Sequence, residues 1–106
     1  MSQIALVFEK FDGFNPVLSI LTTSVEKLGI EYLGAVLEGA GHTIALFDNE
    51  LDRISSENLA WQLNSGQYDI IGLSINSGNL KSSFALLEKI APGPFVVVGG
   101  VTPSLH

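Results

Sequence analysis

Four short apolar runs set the limits on what this chain can fold into. They are Gln3–Phe8 (QIALVF), Thr43–Phe47 (TIALF), Asp69–Ser74 (DIIGLS) and Phe95–Val98 (FVVV). None alternates apolar and polar residues as a strand with one wet face does. Each therefore reads as a strand buried on both faces, the pattern of a parallel sheet. Parallel strands need long crossovers, and the intervening segments supply them as helices. Thr23-x-x-Glu26 has the form of a capping box, followed by Leu28, Tyr32, Leu33, Val36, Leu37 and Ala40 at helical spacing until Gly41 offers a left-handed cap. This predicts a helix over 25–40. Ser55 and Ser56 precede a second helical pattern (Leu59, Trp61, Leu63) that stops near Gly66, and Asn79 precedes a third (Leu80, Phe84, Leu87, Ala91) stopped by Pro92-Gly93-Pro94.

Strand and helix in strict alternation build right-handed crossovers and a sheet with helices on both faces. The expected fold is a doubly wound, three-layer α/β/α domain of flavodoxin-like (Rossmann-like) type with strand order 2-1-3-4. A chain of 106 residues has room for one such domain, 1–106. Its composition, 46% hydrophobic and 15% charged, suits a large covered core. Eleven acids against five bases give a formal charge of −6, which leaves no basic surface for nucleic acid or anionic membrane. With no signal peptide and no apolar run long enough to span a bilayer, a cytoplasmic protein is expected. The absence of cysteine excludes thiolate metal sites and Cys-ligated clusters within this chain.

Doubly wound folds bind ligands beyond the carboxyl ends of the strands, where the winding reverses between the first and third strands. Three connections reach that edge. The segment 9–24 (EKFDGFNPVLSILTTS) is far longer than an ordinary strand-to-helix turn and rich in apolar residues; it either covers the core or walls an apolar ligand. Ser74-Ile75-Asn76-Ser77-Gly78-Asn79 places small polar groups before the third helix, where backbone N–H groups favour ligand acceptors, although Ser77 or Asn79 can serve as a helix cap. Gly99-Gly100-Val101-Thr102 allows close approach to bare backbone. Glu9 and Asp12 are acids that can point into the same region. Asp48 reads as a turn cap and His42, at the opposite edge, as structural. Gly72-Leu73-Ser74-Ile75-Asn76 lacks the closing glycine of a nucleophile elbow, and no Gly-x-Gly-x-x-Gly or P-loop pattern is present. No catalytic residue and no metal ligand is assigned.

The stretches Leu28 to Asp48 (LGIEYLGAVLEGAGHTIALFD), YDIIGLSINSGNLKSSFALLEKI and VVVGG together resemble the cobalamin-binding domain at the N-terminus of many radical S-adenosylmethionine enzymes. The resemblance implies a corrinoid lying over the carboxyl edge. Its nucleotide tail is received by the loops after the third and fourth strands, at Ser74, Asn76, Ser77 and Gly78 and at Gly99, Gly100, Val101 and Thr102. Related domains carry an Asp-x-His-x-x-Gly motif whose histidine ligates cobalt; here Asp12-Gly13-Phe14-Asn15 has no such histidine. The resemblance further implies a separate catalytic domain using S-adenosylmethionine and a 4Fe-4S cluster, a further strand beyond the glycine pair, and no catalysis by this chain alone. On this view the chain is the N-terminal portion of a larger enzyme. The alternative is a cofactor-free, receiver-like interaction domain on the same fold. A receiver would place its phosphoacceptor Asp at the end of the third strand, and Ser74 stands there.

Overall fold

The computed structural model describes residues 2–10, 12, 29–75 and 78–99. Four strands, β1 (Gln3–Phe8), β2 (Thr43–Asp48), β3 (Ile70–Ser74) and β4 (Phe95–Gly99), form one sheet in the order β2-β1-β3-β4. Every pairing is parallel, as the apolar runs require. This is the flavodoxin-like order with the winding reversing between β1 and β3. Helices α1 (29–39 among the described residues), α3 (Ser56–Ser65) and α4 (Leu80–Lys89) make the crossovers, with a single helical turn, α2 (Asn49–Asp52), after β2. No helix among the described residues is long and apolar enough to cross a membrane.

The local signals act as the sequence predicts at most boundaries. Gly41 takes a φ of 100° and ends α1, with the Gly41 and His42 N–H groups donating to the carbonyls of Glu38 and Leu37. Asp48 caps α2 by accepting from Leu51 N at 3.2 Å, and Ser55 caps α3 by accepting from Asn58 N at 3.1 Å. His42 has a structural role at the amino edge, where its Nδ1 accepts from Ser2 N. The capping box at Thr23 and most of the segment 9–24 lie outside the described residues.

β1 is central and buried from Ile4 to Phe8. On one side Ala5 and Val7 join Ile71 and Leu73 of β3, and α3 and α4 close this core with Leu59, Ala60, Leu63 and Leu86. Each valine, leucine and isoleucine among them contributes roughly 1.5–3 kcal/mol by leaving water. On the other side α1 lies against β1 and β2 at Gly34, whose missing side chain lets the helix sit over Leu6, Ile44 and Leu46. Two expectations fail here. The α1 face toward the sheet runs through Ile30, Gly34 and Leu37, while Tyr32, Leu33 and Val36 are exposed; a glycine at the contact decides the helix's rotation, and a hydrophobic pattern counts it as neutral. β4, expected to be covered on both faces, is exposed along its whole length and adds no residue to the core that α3 and α4 close over β1 and β3.

Candidate functional site

The carboxyl ends of β1 and β3 lie side by side, with Phe8 paired to Ser74 and Ser74 paired in turn to Gly99. Immediately beyond β1 the chain carries Glu9, a buried carboxylate. Its Oε1 accepts from Lys10 N at 2.7 Å and from Asn49 Nδ2, with the Lys10 ammonium 3.8 Å away. Its Oε2 is buried without a hydrogen-bond partner. A buried carboxylate requires donors to offset its lost hydration, and here one oxygen carries them all.

Asn49, also buried, is the brace that holds Glu9. Its Nδ2 also donates to Ile54 O at 2.9 Å and its Oδ1 accepts from Ile54 N at 2.8 Å, which closes the turn between α2 and α3. Lys10 Nζ reaches the same Ile54 carbonyl at 2.8 Å. On the other side of the edge, the buried Asn79 Nδ2 donates to Glu9 O and to Ser74 O, at 3.2 Å each. Three connections, those after β1, β2 and β3, are thereby tied together by polar groups beneath the edge.

Asp12 makes a fourth tie. Its N–H donates to Gly78 O at 2.7 Å, and its carboxylate accepts from Lys81 N at 2.8 Å, Ser82 N at 2.7 Å and Ser82 Oγ at 2.7 Å. Partial burial raises this carboxyl's pKa. The hydrogen bonds from Ser82 Oγ and the two N–H groups, with the Lys81 charge, outweigh that effect and hold it below the ordinary aspartate value. The α4 N-terminus is thus capped from 69 residues away, while Asn79 at the cap position makes no side-chain cap bond.

Of the residues expected to meet a ligand, Ser74, Gly78 and Gly99 are described. Ser74 is half-buried at the end of β3, and Gly78 lies beside Asp12. Gly99 ends β4 with its carbonyl accepting from Ile75 N at 2.7 Å, and a Cβ built there would meet nothing within 4 Å. Asn76, Ser77, Gly100, Val101 and Thr102 lie outside the described residues. At the start of α4 the N–H groups of Lys81 and Ser82 are taken by the Asp12 carboxylate.

A feature without a signal in the sequence is a recess of about 120 Å³ between α1 and the carboxyl halves of β1 and β2. It is lined mainly by Leu6, Phe8, Ile30, Leu46 and Phe47, with Asp48 and Glu31 at its polar margin. A larger recess of about 400 Å³ lies at the opposite, amino edge, among turn residues such as Tyr68, Asp69, Pro92 and Pro94. The polar ties and the bare Gly99 backbone lie at the carboxyl edge, away from the larger hollow.

A family model for the B12 binding domain matches residues 16–106. The chain belongs to the B12-binding domain family. Comparison with curated proteins and with solved structures finds no match. Membership implies cobalamin as the ligand, and the parallel sheet in the order β2-β1-β3-β4 is the fold of such domains. In this B12-binding domain Glu9, Asn49, Asn79 and Asp12 shape the edge, and no partner for any of them is readable from the sequence. Asn79 is recognisable as a residue before a helix, but nothing local predicts carbonyl partners on two different strands.

Proposed function

We propose that this B12-binding domain holds cobalamin over the carboxyl edge of its sheet for a radical S-adenosylmethionine enzyme. On this reading the corrinoid and its tail are received by Ser74, Asn76, Ser77 and Gly78 and by Gly99, Gly100, Val101 and Thr102. The observation that carries the placement is Gly99, where backbone borders open space at the point at which β4 meets Ser74. The residues present fit such a ligand, because bare backbone at Gly99 admits a bulky planar group.

When bound, cobalamin supplies cobalt-centred methyl-transfer or rearrangement chemistry. This chain's own residues bind and orient. Asn79 fixes the spacing of the connections after β1 and β3, Asp12 anchors the first of these to α4, and Asn49 with Glu9 fixes the connection after β2. His42, the only histidine among the described residues, sits at the amino edge, away from this site. The radical context rests on the likeness of Leu28 to Asp48 and of the DIIGLS and VVVGG stretches to such enzymes. S-adenosylmethionine and a 4Fe-4S cluster would belong to a separate catalytic domain.

Titration with hydroxocobalamin and methylcobalamin, followed by visible absorption and calorimetry with flavin mononucleotide as control, tests the placement. Gly99→Trp is expected to fold as the wild type, because its side chain enters open space, and to bind cobalamin at least tenfold more weakly, about 1.4 kcal/mol. Unchanged affinity in Gly99→Trp would remove the site from this edge. The enzymatic context is tested on the natural gene product purified without oxygen. A reducible 4Fe-4S signal and reductive cleavage of S-adenosylmethionine are expected, and cobalamin binding without either would refute that context alone.

A further inference from the structure

β2 stands at the end of the sheet remote from β3 and β4. A winding that runs from β3 to β4 adds further strands beyond β4, so the edge at β2 does not depend on them. The ladder to β1 shows which backbone groups β2 turns outward. Thr43 N–H donates to Ser2 O, and in a parallel ladder the N–H and C=O of successive residues alternate sides. Thr43, Ala45 and Phe47 therefore face β1, and Ile44 and Leu46 offer their N–H and C=O outward. Among the described residues no strand pairs with that side of β2. From Thr43 to Phe47 the strand carries no charge and no proline, and its register with β1 runs without a bulge. Those are the devices that keep an edge strand from pairing, and β2 has none of them.

We propose that β2 pairs antiparallel with β2 of a second copy about a two-fold axis at Ala45, joining two four-stranded sheets into one of eight strands. This register sets Ile44 opposite Leu46 of the partner subunit, and Leu46 opposite Ile44 of the partner subunit. Both are hydrogen-bonded pairs, so all four outward groups on each chain are used. Ala45 faces itself as a non-hydrogen-bonded pair, the closer kind, where a methyl side chain fits. Thr43 falls opposite Phe47 of the partner subunit, a β-branched residue against an aromatic ring. At each end His42 falls opposite Asp48 of the partner subunit. His42 Nδ1 accepts from Ser2 N, which leaves Nε2 as an N–H donor, and the register brings a carboxylate to it. An axis at Leu46 instead sets Asp48 against Ile44 of the partner subunit, a carboxylate against an apolar side chain. An axis at Ile44 sets His42 against Leu46 of the partner subunit. The edge is self-complementary in charge and shape about Ala45, as a two-fold interface demands.

The dimer and the ligand site coexist. Antiparallel pairing points the carboxyl edges of the two copies in opposite directions, and β1 and β3 separate β2 from Gly99 on β4. Five paired residues per copy bury less than the roughly 1,200 Å² at which stable interfaces begin, so the dimer forms and dissociates with concentration.

Sedimentation velocity of this chain over a hundredfold range of concentration is expected to show the mass rising from one chain toward two. His42→Asp sets like charges opposite each other at both ends of the pairing. It is expected to weaken the dimer at least tenfold with an unchanged circular dichroism spectrum. The chain has no cysteine, so Ala45→Cys introduces a single thiol. Its Cβ lies about 4.5–5.5 Å from its symmetry mate in such a pair, close to disulfide reach. Oxidative dimerisation of Ala45→Cys is expected at least tenfold faster than that of Ser65→Cys, an exposed position at the end of α3. A single-chain mass at every concentration would overturn the proposal. So would a dimer indifferent to His42→Asp, or cross-linking of Ala45→Cys no faster than that of Ser65→Cys.

Discussion

Replacing Asp12 by alanine removes the side chain that, among the described residues, caps α4. Three donors lose their acceptor: Lys81 N at 2.8 Å, Ser82 N at 2.7 Å and Ser82 Oγ at 2.7 Å. A lost side-chain cap costs about 0.5–2 kcal/mol, and a carboxylate at a helix N-terminus adds about 0.3–1 kcal/mol through the dipole. Asp12 is exposed, so solvent screening keeps the combined loss near 1.5 kcal/mol. For a domain of this size that lowers the melting temperature by roughly 6–12 °C. The loss should depend on pH with a defined sign. Although burial raises its pKa, the Ser82 and Lys81 interactions bring the Asp12 carboxyl below its ordinary value, so folding favours the ionised form. Its contribution is then complete above the unfolded value near 4 and disappears as pH falls through the lower folded value. Urea titrations of wild type and Asp12→Ala at pH 7, 5, 4 and 3 should show a gap that narrows at the acid end. Asp12→Asn should lose part of the stability at pH 7. Hydrogen exchange should place the change at the Lys81 and Ser82 amides. A gap below about 0.3 kcal/mol at pH 7, or one equally wide at pH 3, would refute Asp12 as an ionised cap.

Two further substitutions separate packing from polarity. Ser83 is buried on α4 with an Oγ that has no partner, so Ser83→Ala is expected to stabilise by about 1 kcal/mol, from the unsatisfied hydroxyl and helix propensity together; a less stable variant in urea would show that the hydroxyl is satisfied. Gly34→Ala places a Cβ 3.5–3.6 Å from Leu6, Ile44 and Leu46, an ordinary contact, and should gain up to about 1 kcal/mol of helix propensity. Gly34→Leu should instead cost at least about 1–3 kcal/mol by forcing α1 off the sheet, and equal melting temperatures for the two variants would refute close packing at that point.

The fold was legible because its signals are local and repeated. A run such as QIALVF has no polar face to give to water, so it requires cover on both sides, and helical segments between such runs leave parallel crossovers as the connection. Gly41, Asp48 and Ser55 act within three or four residues of themselves, and their roles follow from residue type. The switch point was legible too, because a doubly wound sheet reverses its winding between β1 and β3 whatever its side chains are. Its wiring was not. Asp12 reaches Ser82 and Asn79 reaches Glu9 across some 70 residues of chain, and either residue would serve equally well as a local cap.

The class of fold, its strand order and the kinship with cobalamin binders were readable from the amino-acid sequence alone. These rest on hydrophobic period, turn chemistry and residue spacing, all of which are properties of short segments. It took the folded arrangement to show that α1 turns on Gly34, that the N–H groups of Lys81 and Ser82 belong to Asp12, and that Glu9 is buried with one oxygen unmet. Each of these depends on which distant groups share a few ångströms of space, and that is settled when the sheet assembles.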